Sequence, residues 1–342
     1  MKTFRNYLKT IPLAFILLTA CSKDDDSLTQ KESIYIATTE LGMHSKSAVI
    51  KLWKDGKTTT VSDETYSAWA RNMEINGDDV YIVGNRLNSD SNRQEAMVWK
   101  NNIGTKLSTT TDNAYAYDIS IKNNDVYIVG SERIDGVDIA KLWKNGVATN
   151  LTDGSHNASA IGVFIDDNSN VYIIGTENRN AVLWKNGVAM NLTDGTQATY
   201  PRSIYVRNNT IYIAFQEYNT SNKFVAKLWR NGQISSLTDG TSHANTTSIY
   251  VDDLDNVYVI GYESNESGNQ VAKLWKNGEV TNLSNGTEST TTEKVLVHDN
   301  DVYITGYGFN GSRDTAILWK NGELTTISEE NKDTYATGIA IK

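Results

Sequence analysis

The chain has 342 residues, with 32 Lys and Arg against 41 Asp and Glu, a formal net charge of −9 and a single cysteine. An acidic chain with no Lys/Arg block repels a phosphate backbone, which argues against a nucleic-acid partner, and one cysteine excludes an internal disulfide framework. With 24 glycines, 18 tyrosines, only 2 prolines and abundant Asn and Thr, the composition suits many short strands joined by tight turns.

Lys2, Arg5 and Lys9 open the chain as a basic segment, followed by an apolar run from Ile11 to Ala20 broken by Pro12 and Thr19. The run is too short to span a bilayer and reads as a signal peptide over residues 1–20. It ends in Leu18-Thr19-Ala20-Cys21, which resembles the lipobox of bacterial lipoproteins. That resemblance implies that Cys21 becomes the first mature residue and carries the lipid. The next residues, Ser22-Lys23-Asp24-Asp25-Asp26, resemble the surface-export signal of Bacteroidetes-type lipoproteins, and Asp26-Ser27-Leu28 resembles the O-glycosylation acceptor of that group. The expectation is a lipidated linker over 21–32, a lipid anchor as the sole membrane attachment, and an outer-membrane protein exposed at the cell surface. A plain secretory signal with an incidental cysteine and a solvated polar linker are the alternatives.

From residue 33 the chain repeats. Tryptophans at 53, 99, 143, 184, 229, 275 and 319 are spaced by 46, 44, 41, 45, 46 and 44 residues, a period that with strand character means propeller blades. Around Trp184 the alternation predicts strand a over 160–165, b over 171–175, c over 181–185 and d near 188–192. Between c and d sits Asn186-Gly187, a type I′ hairpin turn. It recurs as Asn145-Gly146, Asn231-Gly232, Asn277-Gly278 and Asn321-Gly322, and as Asp55-Gly56. The second repeat reads Asn101-Asn102-Ile103-Gly104 there, which predicts a longer turn. The mature chain is expected to begin with a b strand, Ile34 to Ile36, and to end with an a strand, Gly338 to Ile341, so that the last strand completes the first blade and closes the ring. The predicted fold is all-β: a seven-bladed propeller of four-stranded antiparallel blades over residues 33–342. Ser248-Ile249-Tyr250-Val251-Asp252 with Asn256 to Gly261 resembles the bacterial β-propeller repeat of secreted proteins, and Ala226 to Gly232 resembles an extracellular repeat family with an Ala-Phe-Leu-Trp core. These families imply the fold and an extracellular setting but share no single activity.

Topology separates two faces. The a–b and c–d turns share one; the b–c loops and d–a connections share the other and differ from repeat to repeat, so a site is expected on the second face. Residues common to most repeats read as packing: the c-strand tryptophans as core, and the glycine ending strand b (Gly84, Gly130, Gly175, Gly261, Gly306) as a place where blades approach closely. A recurring loop carboxylate (Glu40, Glu132, Glu177, Glu217, Glu263) reads as a brace accepting backbone N–H groups in preference to a cation-binding ring. Individual residues cluster where strand a begins, at the expected mouth of the central channel. Trp69, Tyr115, Tyr200 and Tyr335 fall in one column, and Arg71, Tyr117 and Arg202 in the column two residues on, with Asp118 and Arg86 beside them. Aromatic faces with a few charged donors suit a sugar or a peptide; filling of gaps between blades is the competing reading.

Catalytic and metal signatures are absent. The four histidines occupy different repeat positions, and no Gly-x-Ser-x-Gly elbow occurs. Asp166 to Asn170 and Asp252 to Asn256 are oxygen-rich but sit in a–b hairpins, where turn chemistry explains them without calcium. No metal or cofactor is expected and no catalytic residue is singled out. The leading functional expectation is a binding module for a glycan or an envelope or extracellular protein. The alternatives are a glycan hydrolase or lyase using paired carboxylates on the same face and a structural or adhesion component of an envelope complex.

Overall fold

A computed structural model describes residues 32–42, 47–110, 112–328 and 331–342. Cys21 and His44 lie outside them. The compact unit Ser33–Lys342 holds seven four-stranded antiparallel sheets arranged in a ring, and the described residues contain no helix. Six blades use four consecutive strands. In the remaining one the last strand, Thr334–Ile341, pairs with the first, Ile34–Leu41, so the C-terminus closes the ring. Numbering that blade 1, the inner strands of blades 2 to 7 are Ala68–Asn76, Ala114–Lys122, Ala158–Ile165, Thr199–Arg207, Ala244–Val251 and Thr290–His298.

Local chemistry explains why the pattern repeats. At every c–d turn an Asn or Asp side chain accepts the N–H of the first residues of strand b, as Asn145 does from Val126 at 2.8 Å; the same bond forms in all seven blades. An Asn-Gly turn therefore ties three strands together. The Asn101-Asn102 turn is not longer than the others. Both residues take positive φ, 49° and 68°, and Lys100 pairs with Ile103; Asn tolerates the left-handed region well enough to replace the glycine. The basic residue after each tryptophan lies over the strand-b tyrosine opposite it, at 4.6 to 5.2 Å from the ring, again in every blade.

The core lies between blades. Its seven apolar clusters each join residues of two adjacent blades: one packs Tyr35 and Ile50 of blade 1 against Met73 and Trp99 of blade 2, and another packs Trp319's neighbour Leu318 in blade 7 against Ile36 and Ile339 of blade 1. Trp143, Trp184, Trp275 and Trp319 are fully buried, as expected of core residues. The strand-b glycines act within a blade, not between blades. A Cβ on Gly84, Gly130, Gly175, Gly261 or Gly306 would overlap the carbonyl oxygen of Trp69, Tyr115, Ser159, Asn245 or Thr291, each in the same blade's inner strand. The cause is a β-bulge one or two residues further along that strand.

The strands also run further into the variable face than the alternation suggested. Strand b of blade 3 continues to Ile134 and strand c starts at Val137, which leaves only Asp135-Gly136 as a loop. Polar residues carry the ladder there, so hydropathy gave no sign of it.

Candidate functional site at the channel mouth

Every inner strand skips one residue in its pairing with strand b: Arg71, Tyr117, Ile161, Arg202, Thr247, Glu293 and Thr337. This is the second column of the sequence comparison. A bulge bends the strand and re-aims the unpaired residue, and seven bulges at one register place seven side chains in a ring at the channel mouth. Arg71 and Arg202 are exposed although their neighbours Ala70 and Pro201 are buried, which for inner-strand residues means that they open into the channel.

The charges in this ring act across the axis. Glu293 of blade 7 is half-buried, and desolvation pushes its carboxyl up to about 7; Arg71 of blade 2 and Arg202 of blade 5 oppose that rise. Residues of blades 2, 5 and 7 feel one another only because their bulges converge. No described carboxylate forms an ion pair with either arginine. With its amide oxygen turned toward the guanidinium, Gln216 accepts from Arg202 Nε and Nη2 at 2.8 and 2.9 Å. Burial also raises the phenols of Tyr117, Tyr262 and Tyr307; Tyr117 bonds to Ser131, and Arg71 moderates its shift.

The expected site residues divide into groups. Arg71, Tyr117 and Arg202 share the bulge ring, and Tyr115 stacks on Tyr117 with centroids 5.9 Å apart and planes 5° from parallel. Trp69 is partly buried on the wall. Tyr335 donates to Asp314 Oδ2 at 2.9 Å and meets Tyr307 edge-on. Tyr200, 39 % exposed, belongs to an aromatic group with Tyr218 and Phe224 at the rim of blade 5. Arg86 is occupied: it makes an ion pair with Glu95, directly opposite, at 2.6 Å and lies over Tyr66. Asp118 lies one level below the mouth, where Oδ2 accepts the Val163 N–H of the next blade at 2.9 Å and Oδ1 accepts the Asn72 amide. The sequence column contains Glu293 without marking it out, and Gln216, Tyr262 and Tyr307 carry no signal in it. The last three share a readable position, one residue past the strand-b glycine or its replacement, opposite the aromatic column.

The loop glutamates are braces, with a different partner from the one expected. Glu132 meets Lys141 at 2.7 Å and Glu263 meets Lys273 at 3.1 Å; Glu217 pairs with Lys227, and Glu40 with Lys332 at 2.6 Å and Lys51 at 3.8 Å. Strand-c lysines, more than backbone N–H groups, satisfy these four; Glu177 lies opposite Asn180 and forms no ion pair with a described residue. Blade 2 carries the same brace with the charges exchanged, Arg86 on strand b and Glu95 on strand c. In the two oxygen-rich hairpins the carboxylates are filled by their own turns. Asp166 accepts the N–H groups of Asn168 and Asn170 and the Tyr172 hydroxyl, and Asp252 does the same with Leu254, Asn256 and Tyr258.

No protein-family model matches this sequence, and no curated protein matches it. Among solved structures, a puromycin-hydrolyzing peptidase of Mycobacterium tuberculosis superposes with a TM-score of 0.57 at 8 % identity, over 86 % of this chain and 53 % of its own. A streptogramin B lyase superposes at 0.50 with 13 % identity, over 78 % and 89 %. The β-propeller domain of the Trilobed protease from Pyrococcus furiosus reaches 0.49 with 14 % identity, over 77 % and 83 %. The likeness is one of fold. The chain spans 53 % of the length of the peptidase, and at these identities no residue role is carried across.

Proposed function

We propose that this protein is a binding module that takes an acidic glycan at its channel mouth, held at the outer cell surface by a lipid on Cys21. The observation that supports it is the pair Arg71 and Arg202. Two guanidiniums face one opening of an acidic protein with no described carboxylate paired to them, whereas Arg93, Lys122, Arg207 and Lys320 are each matched with an Asp. A guanidinium presents a planar fork that suits a carboxylate or sulfate. The parallel rings of Tyr115 and Tyr117, with Trp69 at the equivalent position of the adjacent blade, offer faces for sugar rings. The test is calorimetric titration of the soluble chain from residue 31 with uronate-containing, sulfated and neutral oligosaccharides. Acidic sugars should bind in a salt-sensitive way, and the Arg71→Ala, Arg202→Ala double variant should lose about tenfold or more in affinity. Equal binding of neutral sugars, or binding untouched in the double variant, overturns the reading; capture of a protein ligand instead would put the same face to another use.

One observation favours a hydrolase or lyase on the same face. A carboxyl titrating near neutrality inside a cleft is suited to proton transfer, and Glu293 is such a group. On that reading Glu293→Gln keeps glycan binding and abolishes release of shortened products; a wild-type protein that leaves bound oligosaccharides intact removes it. Lipidation is checked separately: Cys21→Ala should leave the protein out of the detergent-extracted membrane fraction.

A further inference from the structure

Below the bulge ring lies a chamber of about 300 Å³, lined by inner-strand residues of all seven blades. Its principal ring is Glu74, Ser120, Phe164, Tyr205, Tyr250, Leu296 and Ala340, three residues past each bulge. One wall is aromatic: Phe164 and Tyr205, and Tyr205 and Tyr250, pack with centroids 4.8 Å apart in both pairs. Leu296 and Ala340 extend that wall. The opposite wall is polar, with Glu74 and Ser120. Above them Asn72 and Asp118 bond to each other and to the Met73 and Val163 N–H groups, so both are satisfied. Two groups of opposite charge type are only partly matched, although the Glu74 carboxyl accepts the Ile121 N–H. Glu74 Oε2 is cut off from solvent without a hydrogen-bond partner, and no described carboxylate forms an ion pair with the Lys294 ammonium. Burying unmatched polar groups is costly unless something completes them.

We propose that this chamber is a second binding site, separate from the mouth, and that it takes a free apolar α-amino acid as the zwitterion. The carboxylate lies on Lys294, the ammonium on Glu74, and the side chain against Phe164, Tyr205 and Tyr250. A zwitterion is the smallest ligand that answers both the unpartnered Glu74 oxygen and the Lys294 ammonium at once, and the volume suits a ligand at the small end of ordinary pockets. The aromatic wall buries an apolar side chain and its ring faces tolerate a nearby cation. The groups facing Glu74 are Asp118 from blade 3, Tyr205 and Tyr250 from blades 5 and 6, and Lys294 and His298 from blade 7; blades 1 and 4 contribute apolar residues. Burial, reinforced by Asp118 and opposed by Lys294, pushes the Glu74 carboxyl up to about 8. At neutral pH it is therefore protonated in the empty chamber and releases its proton when an ammonium arrives.

The experiment is isothermal titration of the intact soluble chain with L-phenylalanine and L-leucine, compared with N-acetyl-L-phenylalanine, which lacks the ammonium, and phenethylamine, which lacks the carboxylate. The two amino acids should bind and each half-ligand should bind about tenfold more weakly or worse. Repeating the titration at pH 7 in buffers of different ionisation enthalpy should show close to one proton released per ligand, roughly the Glu74 proton. Glu74→Gln should abolish the release and weaken binding about tenfold, whereas Arg71→Ala should leave it unchanged. Half-ligands binding as tightly as the zwitterion, no proton release, or no amino-acid binding at millimolar concentration overturns the proposal. The ligand comparison on the unmodified protein decides it even where a variant fails to fold. Loss of glycan binding in the arginine variants bears only on the mouth.

Discussion

Glu293 and Glu74 are ordinary residues in the sequence, and each acquires its character from groups on other blades. For Glu293 the consequence is a pH-dependent mouth. As pH falls through about 7 its carboxyl becomes neutral, and the opening that holds Arg71 and Arg202 becomes more positive. Affinity for an acidic oligosaccharide should therefore rise a few-fold between pH 8 and pH 6, and Glu293→Gln should remove that dependence; an unchanged slope in the variant would assign it to another group. For Glu74 the consequence is stability. Its folded-state carboxyl keeps a proton up to about pH 8, against 4.5 for the ordinary group. The stabilisation linked to that proton is complete below pH 4.5 and is lost as pH rises from 4.5 through 8. Glu74→Gln should thus be more stable than the parent at pH 8.5, by on the order of 1 kcal/mol or more, and close to it at pH 4.5. Urea unfolding at the two pH values reads the difference.

At the level of the element, the bulge is the unit of design. It breaks the inner-strand ladder at one residue, and the freed groups find partners: Asp118 accepts the Val163 N–H, Ser248 Oγ accepts the Val295 N–H at 3.4 Å, and Thr39 Oγ1 accepts the Ala70 N–H at 3.0 Å. The glycine in strand b leaves room for the carbonyl that the bulge pushes across. Gly130→Ala should therefore cost about 2 kcal/mol or more, because backbone must move to admit the methyl group. Thermal unfolding of that variant is the check, and a Tm within a degree of the parent would mean that the bulge relaxes freely. The turn asparagines make a second, independent case. Asn145 holds φ at 50° and accepts the Val126 N–H, so Asn145→Ala should cost about 1–2 kcal/mol through strain and a lost hydrogen bond.

The whole molecule is a ring of nearest-neighbour interfaces, and its stability depends on closing. The last strand supplies Ala336 and Ile339 to the interface with blade 7 and pairs with the first strand from Ile34 to Glu40. On the opposite face from the mouth, polar side chains clasp the next blade's turn: Lys122 reaches Asp167 at 2.6 Å, Arg207 reaches Asp253 at 2.9 Å, and Lys342 pairs with Asp78. Removing residues 334–342 deletes the closing strand together with its clasp and leaves the Ile34–Leu41 edge unpaired. The truncated chain should aggregate or lose cooperative unfolding; a monomer on gel filtration with an unshifted melt would show that the ring does not need closure. Exposed apolar residues on the outer strands, Ile103, Val147, Val188, Ile234, Val280 and Leu324, come from six different blades.

Blade number, strand order, circular closure and the column of mouth residues were all legible along the chain. A blade is a local unit of about 45 residues, its hairpins are written in adjacent residues, and comparing seven copies separates packing from individuality. The sequence by itself determined the column containing Arg71, Tyr117 and Arg202, because a repeat keeps its register. Three matters were decided only by the tertiary structure. Which of those seven residues meet across the axis depends on ring geometry: Arg71 and Glu293 are 222 positions apart in the chain yet act on one another. Which charges are already spent, as Arg86 is on Glu95 and Glu40, Glu132, Glu217 and Glu263 are on strand-c lysines, depends on cross-strand register, which a slip of one residue would reverse. And the chamber under the ring exists because the lower inner strands from all seven blades surround one axis, so that Glu74 and Lys294, unremarkable in their own repeats, line one cavity without an ion-pair partner among the described residues.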